Sequence, residues 1–173
     1  MAGDGGGLRD RGMVRSIGVS NFLPEHLDRI IEETGIVPAV NQIESHPRFW
    51  QPGLEAYCRD RGIAIEAYSP LGHGKDIESE PVCAAAERLG VTPAQVVLRW
   101  HVQKGHVVLP KSTKPERMRQ NMDIYGFELT DGEVAAIDGL HDPECAVSND
   151  PRTFCAPQTL EDMLARGTVR LEP

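Results

Sequence analysis

"VVLPKSTKPERMRQN" (residues 107–121) runs from a short β-branched stretch into Pro110, then places Lys111, Ser112, Thr113, Lys114, Arg117 and Arg119 within nine residues. A strand that gives way to a helix through a polar turn is the unit from which parallel sheets are built. Cations and hydroxyls crowded at that turn, in a chain of net charge −8, read as a local site for a small anion. A helix start behind such a cluster adds oriented backbone N–H groups to the same site.

The same rhythm precedes this stretch three times. "MVRSIGVS" (13–20) reads as a strand, and "LPEHLDRIIEETG" (23–35) as a helix with Leu27, Ile30 and Ile31 on one face and Gly35 as its stop. "VPAVNQIE" (37–44) is a second strand, followed by a helix over about 51–61. "GIAIEAYSP" (62–70) is a third, followed by helices over 81–89 and 93–103. "HVVLP" (106–110) is the fourth, with helices at about 115–124 and 131–139. Thr92-x-x-Gln95, Thr113-x-x-Glu116 and Thr130-x-x-Glu133 each match a capping box. Strand–helix alternation predicts an α/β fold with four parallel strands. Length favours a small open sheet. The polar residues that close each strand favour half of an eight-stranded barrel, because barrel sites are built at the carboxyl ends of the strands. Those ends are Ser20-Asn21, Asn41-Gln42, Tyr68-Ser69 and Lys111-Ser112.

At 173 residues, 40% hydrophobic and 25% charged, the chain has the composition of an ordinary globular domain. Its negative charge argues against nucleic acid as a partner. No apolar run approaches the roughly 18 residues of a membrane span. The glycine-rich first twelve residues are expected to be unstructured and lack the apolar core of a signal peptide. Cys58, Cys83, Cys145 and Cys155 lie far apart with no C-x-x-C pair, which favours reduced thiols in a cytoplasmic protein and no metal site. His46 reads as either a substrate-facing residue or a turn residue. His26, His101, His106 and His141 read as isolated, satisfied side chains, and Tyr57 and Tyr125 as helix packing residues.

"VRSIGVSNF", "VNQIESHP", "IEAYSPLG" and "VVLPKSTKPERMRQN", in this order, resemble the aldo-keto reductase family, and "PAQVVLRW" and "FELTDGEVAAID" extend the likeness over about residues 13–154. The resemblance implies the C-terminal half of a (β/α)₈ TIM barrel, strands five to eight, with residues 155–173 as a C-terminal tail. It implies an NADP(H)-dependent oxidoreductase that reduces aldehydes or ketones to alcohols. By position, Ser20, Asn21 and Gln42 would hold the nicotinamide carboxamide, and Tyr68 would stack on its ring. Ser69 and Leu71 would line the pyrophosphate. Lys111, Ser112 and Arg117 would hold the 2′-phosphate with Thr113 nearby, and Gln120 and Asn121 would contact adenine. His73 stands where the family often has a smaller residue. The family's Asp–Tyr–Lys–His set belongs to the preceding half, and the twelve residues before Met13 contain no Tyr, Lys or His. The resemblance therefore implies no catalytic residue here and a truncated or late-start form. Two alternatives stand beside it: an inactive NADP(H)-binding or sensing module, and a half barrel completed by a second chain. Unpaired edges near 14–19 and 106–109 predict self-association, with Ile17, Val19, Val40, Ile43, Ile65, Ala67, Val108 and Leu109 as the available apolar surface.

Overall fold

The computed structural model describes residues 5–152. Four parallel strands, β1 (Gly18–Ser20), β2 (Val40–Glu44), β3 (Ala64–Tyr68) and β4 (Val107–Val108), pair in sequential order. Helix α2 (Pro24–Thr34) links β1 to β2, and α3 (Pro52–Asp60) links β2 to β3. Helices α4 (Glu80–Leu89) and α5 (Pro93–Gln103) link β3 to β4, and α6 (Pro115–Met122) and α7 (Asp131–Asp138) follow. A sequentially ordered parallel sheet of this kind is the wall of a partial (β/α)₈ barrel, as the alternation and the polar strand ends predict.

Two expectations at helix starts need correction. Residues 1–12 are not without structure throughout, because α1 spans Gly5–Asp10. The Met13 N–H donates to Leu8 O at 2.9 Å across Gly12, whose φ of +70° suits a helix-ending turn. The glycines that argued against a helix thus include the one that closes it. The boxes at Thr92/Gln95 and Thr130/Glu133 form, but the one at Thr113 does not. Pro115 opens α6, so Lys114 is the N-cap and Thr113 lies one residue too early.

The pleat decides which side chains fill the core. Register pairs Asn41 with Ile65, Gln42 with Glu66, Ile43 with Ala67 and Glu44 with Tyr68. Successive residues face opposite ways, so Asn41, Ile43, Ile65 and Ala67 face the helices and Gln42, Glu44, Glu66 and Tyr68 face the concave side. Ile43 and Ile65 join Leu27, Leu54, Cys58 and Ile63 in one core cluster, against which Val19 packs. A second cluster, built on Val82, Ala85, Ala86, Val96, Val97, Trp100, Leu129 and Ile137, joins α4, α5 and α7. Trp100, fully buried, donates from Nε1 to Asp138 Oδ1 at 2.8 Å. The concave side is consequently polar. Of the apolar residues the sequence offers, Val19, Ile43, Ile65 and Ala67 pack toward the helices, in keeping with the alternation. Leu109, at 42% exposure, and Val107, at 49%, are the large apolar side chains left open at the β4 edge.

Candidate functional site

The carboxyl ends of β1, β2 and β3 bring four of the predicted residues together. Ser20 Oγ donates to Gln42 O at 3.0 Å, and Asn21 N–H donates to the same carbonyl at 2.9 Å. Tyr68 OH donates to Asn21 Oδ1 at 3.1 Å. Gln42 Nε2 donates to Glu66 Oε2 at 2.5 Å on the concave face. The result is a fixed amide-and-phenol constellation around the β1–β3 ends. Asn21, Ser69 and His73 all take positive φ, +57°, +50° and +54°. Non-glycine residues held in this region cost free energy and concentrate at binding sites.

Asn41 belongs to the scaffold of this group. It is fully buried and grips the loop after β1, donating from Nδ2 to Phe22 O at 2.7 Å and accepting from Phe22 N at 3.3 Å. That grip fixes the backbone on which Asn21 sits. On the next turn, Ser69 Oγ lies 3.4 Å from His73 Nε2, and Gly72 N–H donates to Ser69 O at 2.9 Å. Leu71 is partly buried, with its side chain packed against the α4–α5–α7 core.

Lys111, Ser112 and Thr113 follow β4, and Arg117, Gln120 and Asn121 ride on α6. Ser112 Oγ accepts from Lys114 N–H at 3.2 Å, which shapes the turn. Among the described residues, Lys111, Lys114, Arg117 and Arg119 form no salt bridge; Arg9, Arg11, Arg15 and Lys75 also form none but are spread along the chain, whereas Arg29, Arg48, Arg59, Arg61, Arg88, Arg99, Lys104 and Arg152 all do. In an acidic protein, Lys111, Lys114 and Arg117, exposed and without carboxylate partners around the start of α6, are a ready anion site, with Arg119 in the helix's last turn. β4 pairs with β3, so this site and the Tyr68 group lie at the same end of the sheet.

Sequence reading missed the charged cluster just below. Glu44, His46 and Asp76 are buried at 0–1% exposure. His46 Nε2 lies 3.1 Å from Glu44 Oε1, its Nδ1 lies 2.6 Å from Asp76 Oδ2, and Arg48 Nε donates to Asp76 Oδ1 at 2.7 Å. Burial alone would raise the pKa of Glu44. Hydrogen bonds from His46, Ser148 and the Val147 and Ser148 amides instead hold it down at about 2. Burial alone would lower the His46 pKa, yet its contacts with Asp76 and Glu44 raise it. The local signal was the Glu44–His46 spacing, but Asp76 and Ser148 come from remote segments. His46 is therefore a structural residue of the turn.

His101, His106 and Tyr125 differ from their expected settings, while Tyr57 packs from α3 as expected. His101 and His106 are a contacting pair, Nδ1 to Nδ1 at 3.1 Å. Tyr125 is 72% exposed and lies beyond the end of α6. Tyr57 packs against the core and donates to Asp28. Burial, with the Asp28 carboxylate next, pushes the Tyr57 pKa up to about 12.

Two cavities border the strand ends. The larger, about 800 Å³, opens at Ser20, Asn21 and Phe22 and runs along α2 past His26, Arg29, Ile30 and Glu33, with Ser148, Asn149 and Pro151 on its other side. The smaller, about 230 Å³, lies between β2, α3 and residues 143–152. No helix among the described residues is long and apolar enough to cross a membrane.

Comparison with known proteins places these features. The family model described as the aldo/keto reductase family matches residues 6–76 and 77–142. An aldo-keto reductase of Mycolicibacterium smegmatis is 52% identical over 147 residues, which are 85% of this chain and 53% of that protein. A 2,5-diketo-D-gluconic acid reductase B of Corynebacterium sp. is 50% identical over 133 residues, 76% of this chain and 48% of that protein. A crystal structure of a Gox0644 variant in complex with NADPH superposes with a TM-score of 0.84 at 43% identity, covering 87% of this chain and 55% of that one. The chain thus spans about half the length of the relatives it matches.

Proposed function

The chain belongs to the aldo/keto reductase family, and from that premise we propose that it is the cofactor-holding half of an NADP(H)-dependent reductase of aldehydes or ketones. The observation that carries this reading is the row of unpaired cations after β4, at the same end of the sheet as Ser20, Asn21, Gln42 and Tyr68. The donor set fits the cofactor. Ser20, Asn21 and Gln42 offer hydroxyl and amide groups to the carboxamide. Tyr68, held by its hydroxyl to Asn21, offers a ring face to the nicotinamide. Ser69 and the backbone at Leu71 suit the pyrophosphate. Lys111, Ser112, Thr113 and Arg117 suit the 2′-phosphate, while Gln120 and Asn121 suit the adenine edge. The NADPH-bound relative supports NADP(H) as the cofactor. When bound, the reduced nicotinamide supplies hydride to the carbonyl carbon of the substrate.

The proton that must reach the carbonyl oxygen has no donor in this segment on our reading. Tyr57 is committed to Asp28 with its pKa pushed up to about 12. Tyr125 is exposed on a turn, and the Tyr68 hydroxyl is engaged by Asn21. None of the three shares hydrogen bonds with a lysine and a histidine among the described residues. Turnover then requires a second segment, covalently joined or separate, that lays its strands along the open β1 and β4 edges. In its absence those edges pair between copies. Without such a segment the chain is a binder of the cofactor, which is the alternative reading.

Fluorescence titration with NADPH tests the assignment. Wild type is expected to bind, and Arg117→Ala to bind NADPH about tenfold or more weakly, since hydrogen bonds between charged groups contribute about 1.5–3 kcal/mol. An unchanged affinity in Arg117→Ala would remove Arg117 from the site.

A further inference from the structure

The buried charges beneath the strand ends are tied to a segment that the cofactor reading does not use. Residues 146–152 cross the carboxyl ends of β1 and β2 as a strap. The Glu44 carboxylate accepts from Val147 N at 2.7 Å, from Ser148 N at 2.8 Å and from Ser148 Oγ, a span of more than one hundred residues. Arg152 Nε donates to Glu25 Oε1 on α2 at 3.1 Å. Upstream, the Asp142 amide donates to Arg48 O at 2.8 Å. Ser148 and Asn149 line both cavities, and the larger cavity begins at Ser20 and Asn21.

The cluster that holds the strap balances only in one charge state. Glu44 and Asp76 bring two negative charges, and Arg48 brings one positive charge. A protonated His46, with each ring nitrogen against one carboxylate, brings the second. A neutral His46 would leave one carboxylate unbalanced in a buried place, where an unpaired charge is strongly unfavourable. The fold also reserves room for the cluster. A Cβ added to Gly72, whose φ is +53°, would sit 2.0 Å from Asp76 Oδ2.

We propose that Glu44, His46, Asp76 and Arg48 form a charge clamp that positions the strap 146–152, and through Ser148 and Asn149 sets the wall of the cavity where the substrate meets the nicotinamide end. The clamp residues are positioning residues, since they act on the cavity through the strap. The part of the proposal that concerns substrate rests on the reductase reading; the clamp itself does not. Groups that face His46 and Arg48 from neighbouring elements are few. Asp142 and Cys145 lie just before the strap, and buried His101 on α5 is kept neutral, mainly by its own desolvation and then by His106. His46 therefore titrates against Glu44 and Asp76, with Arg48 as the fixed charge.

Amide hydrogen exchange followed by NMR, with no nucleotide present, reads the clamp directly. In wild type, the protection factors of Val147 and Ser148, corrected for intrinsic base catalysis, should stay level below the His46 titration. They should fall as pH rises through it, with the ring resonances of His46 giving the midpoint. In Glu44→Gln both amides should lose about tenfold or more of their protection, as expected for hydrogen bonds to a charged acceptor. Amides of β2 and β3 should keep theirs. His46→Gln should abolish the pH step. Strap protection in wild type that ignores the His46 titration overturns the proposal, even if a variant fails to fold. So does an unchanged pair of strap amides in a folded Glu44→Gln protein. Because no cofactor enters the measurement, failure of the clamp leaves the NADP(H) reading standing, and failure of NADPH binding leaves the clamp standing.

Discussion

Replacing Asn41 by alanine should loosen the loop that presents Asn21 while leaving the sheet in place. Asn41 is fully buried on the helix side of β2, and both ends of its amide are used by the Phe22 backbone, at 2.7 and 3.3 Å. Two net hydrogen bonds are worth about 1–3 kcal/mol together. Phe22 is only half-buried, so water can reach part of what is lost and limits the added penalty for the stranded groups. Truncation also leaves a small void beside Cys58, whose Sγ lies 3.9 Å from Asn41 Nδ2. The sum is about 2–4 kcal/mol. For a chain of this size that lowers the melting temperature by roughly 5–15 °C, at about 2–4 °C per kcal/mol. Asn41→Leu, which restores volume but not hydrogen bonding, should recover only a minor part of the loss. Circular dichroism melts, with NADPH titration on each variant, make the measurement, and affinity should fall because Asn21 precedes the freed Phe22. A melting temperature within about 2 °C of wild type for Asn41→Ala would refute the reasoning.

Four further outcomes follow from the same structure. Thr92→Ala should cost about 1 kcal/mol in urea unfolding through loss of a formed capping box, whereas Thr113→Ala should change stability by less than about 0.5 kcal/mol because no box forms there. Gly72→Ala should be far worse than an ordinary surface change. The left-handed backbone costs about 1–2 kcal/mol with a Cβ, and the new atom would push Asp76 off His46 and Arg48, so a melting temperature near wild type would contradict the placement. The folded Glu44 pKa of about 2 lies below its ordinary value, so its contribution is present above the unfolded value and lost as pH falls through about 2. The folded His46 value is raised against its burial, by Asp76 first and then by Glu44, so its contribution is full below the unfolded value and lost as pH rises through the folded one; Glu44→Gln should lose the acid slope and keep a reduced His46 slope, because Asp76 still faces the ring. Light scattering should show association that grows with concentration, because β1 and β4 are open edges among the described residues and Val107 and Leu109 are exposed at β4; a monomer at every concentration would show that the edges are protected.

Local chemistry made part of this architecture legible. Helix α5 runs over the residues its pattern predicts because Thr92, Pro93 and Gln95 state its start in consecutive positions. The β4 reading of five residues shrank to two, since Pro110 cannot donate to a ladder and Leu109 pairs only through a single backbone hydrogen bond to Ala67. Strand-end polarity located Ser20, Asn21, Gln42 and Tyr68, because the period of two and a parallel register bring equivalent positions to one end. The clamp was illegible for a different reason. Asp76 lies thirty residues from His46, and Ser148 lies more than one hundred from Glu44. Nothing local distinguishes a buried ionic turn from a solvated one. The helix at Gly5–Asp10 was hidden by its own glycines.

The most direct test of the account is the affinity of the purified chain for NADPH against NADH, measured side by side by fluorescence titration at a single stated ionic strength. The two cofactors differ by the 2′-phosphate, to which Lys111, Ser112 and Arg117 are assigned. The account predicts tighter binding of NADPH by about tenfold or more, narrowing as salt is raised, because charge-assisted contacts to one phosphate are worth at least about 1.5 kcal/mol and exposed cations are screened. Equal affinity for the two cofactors would contradict it.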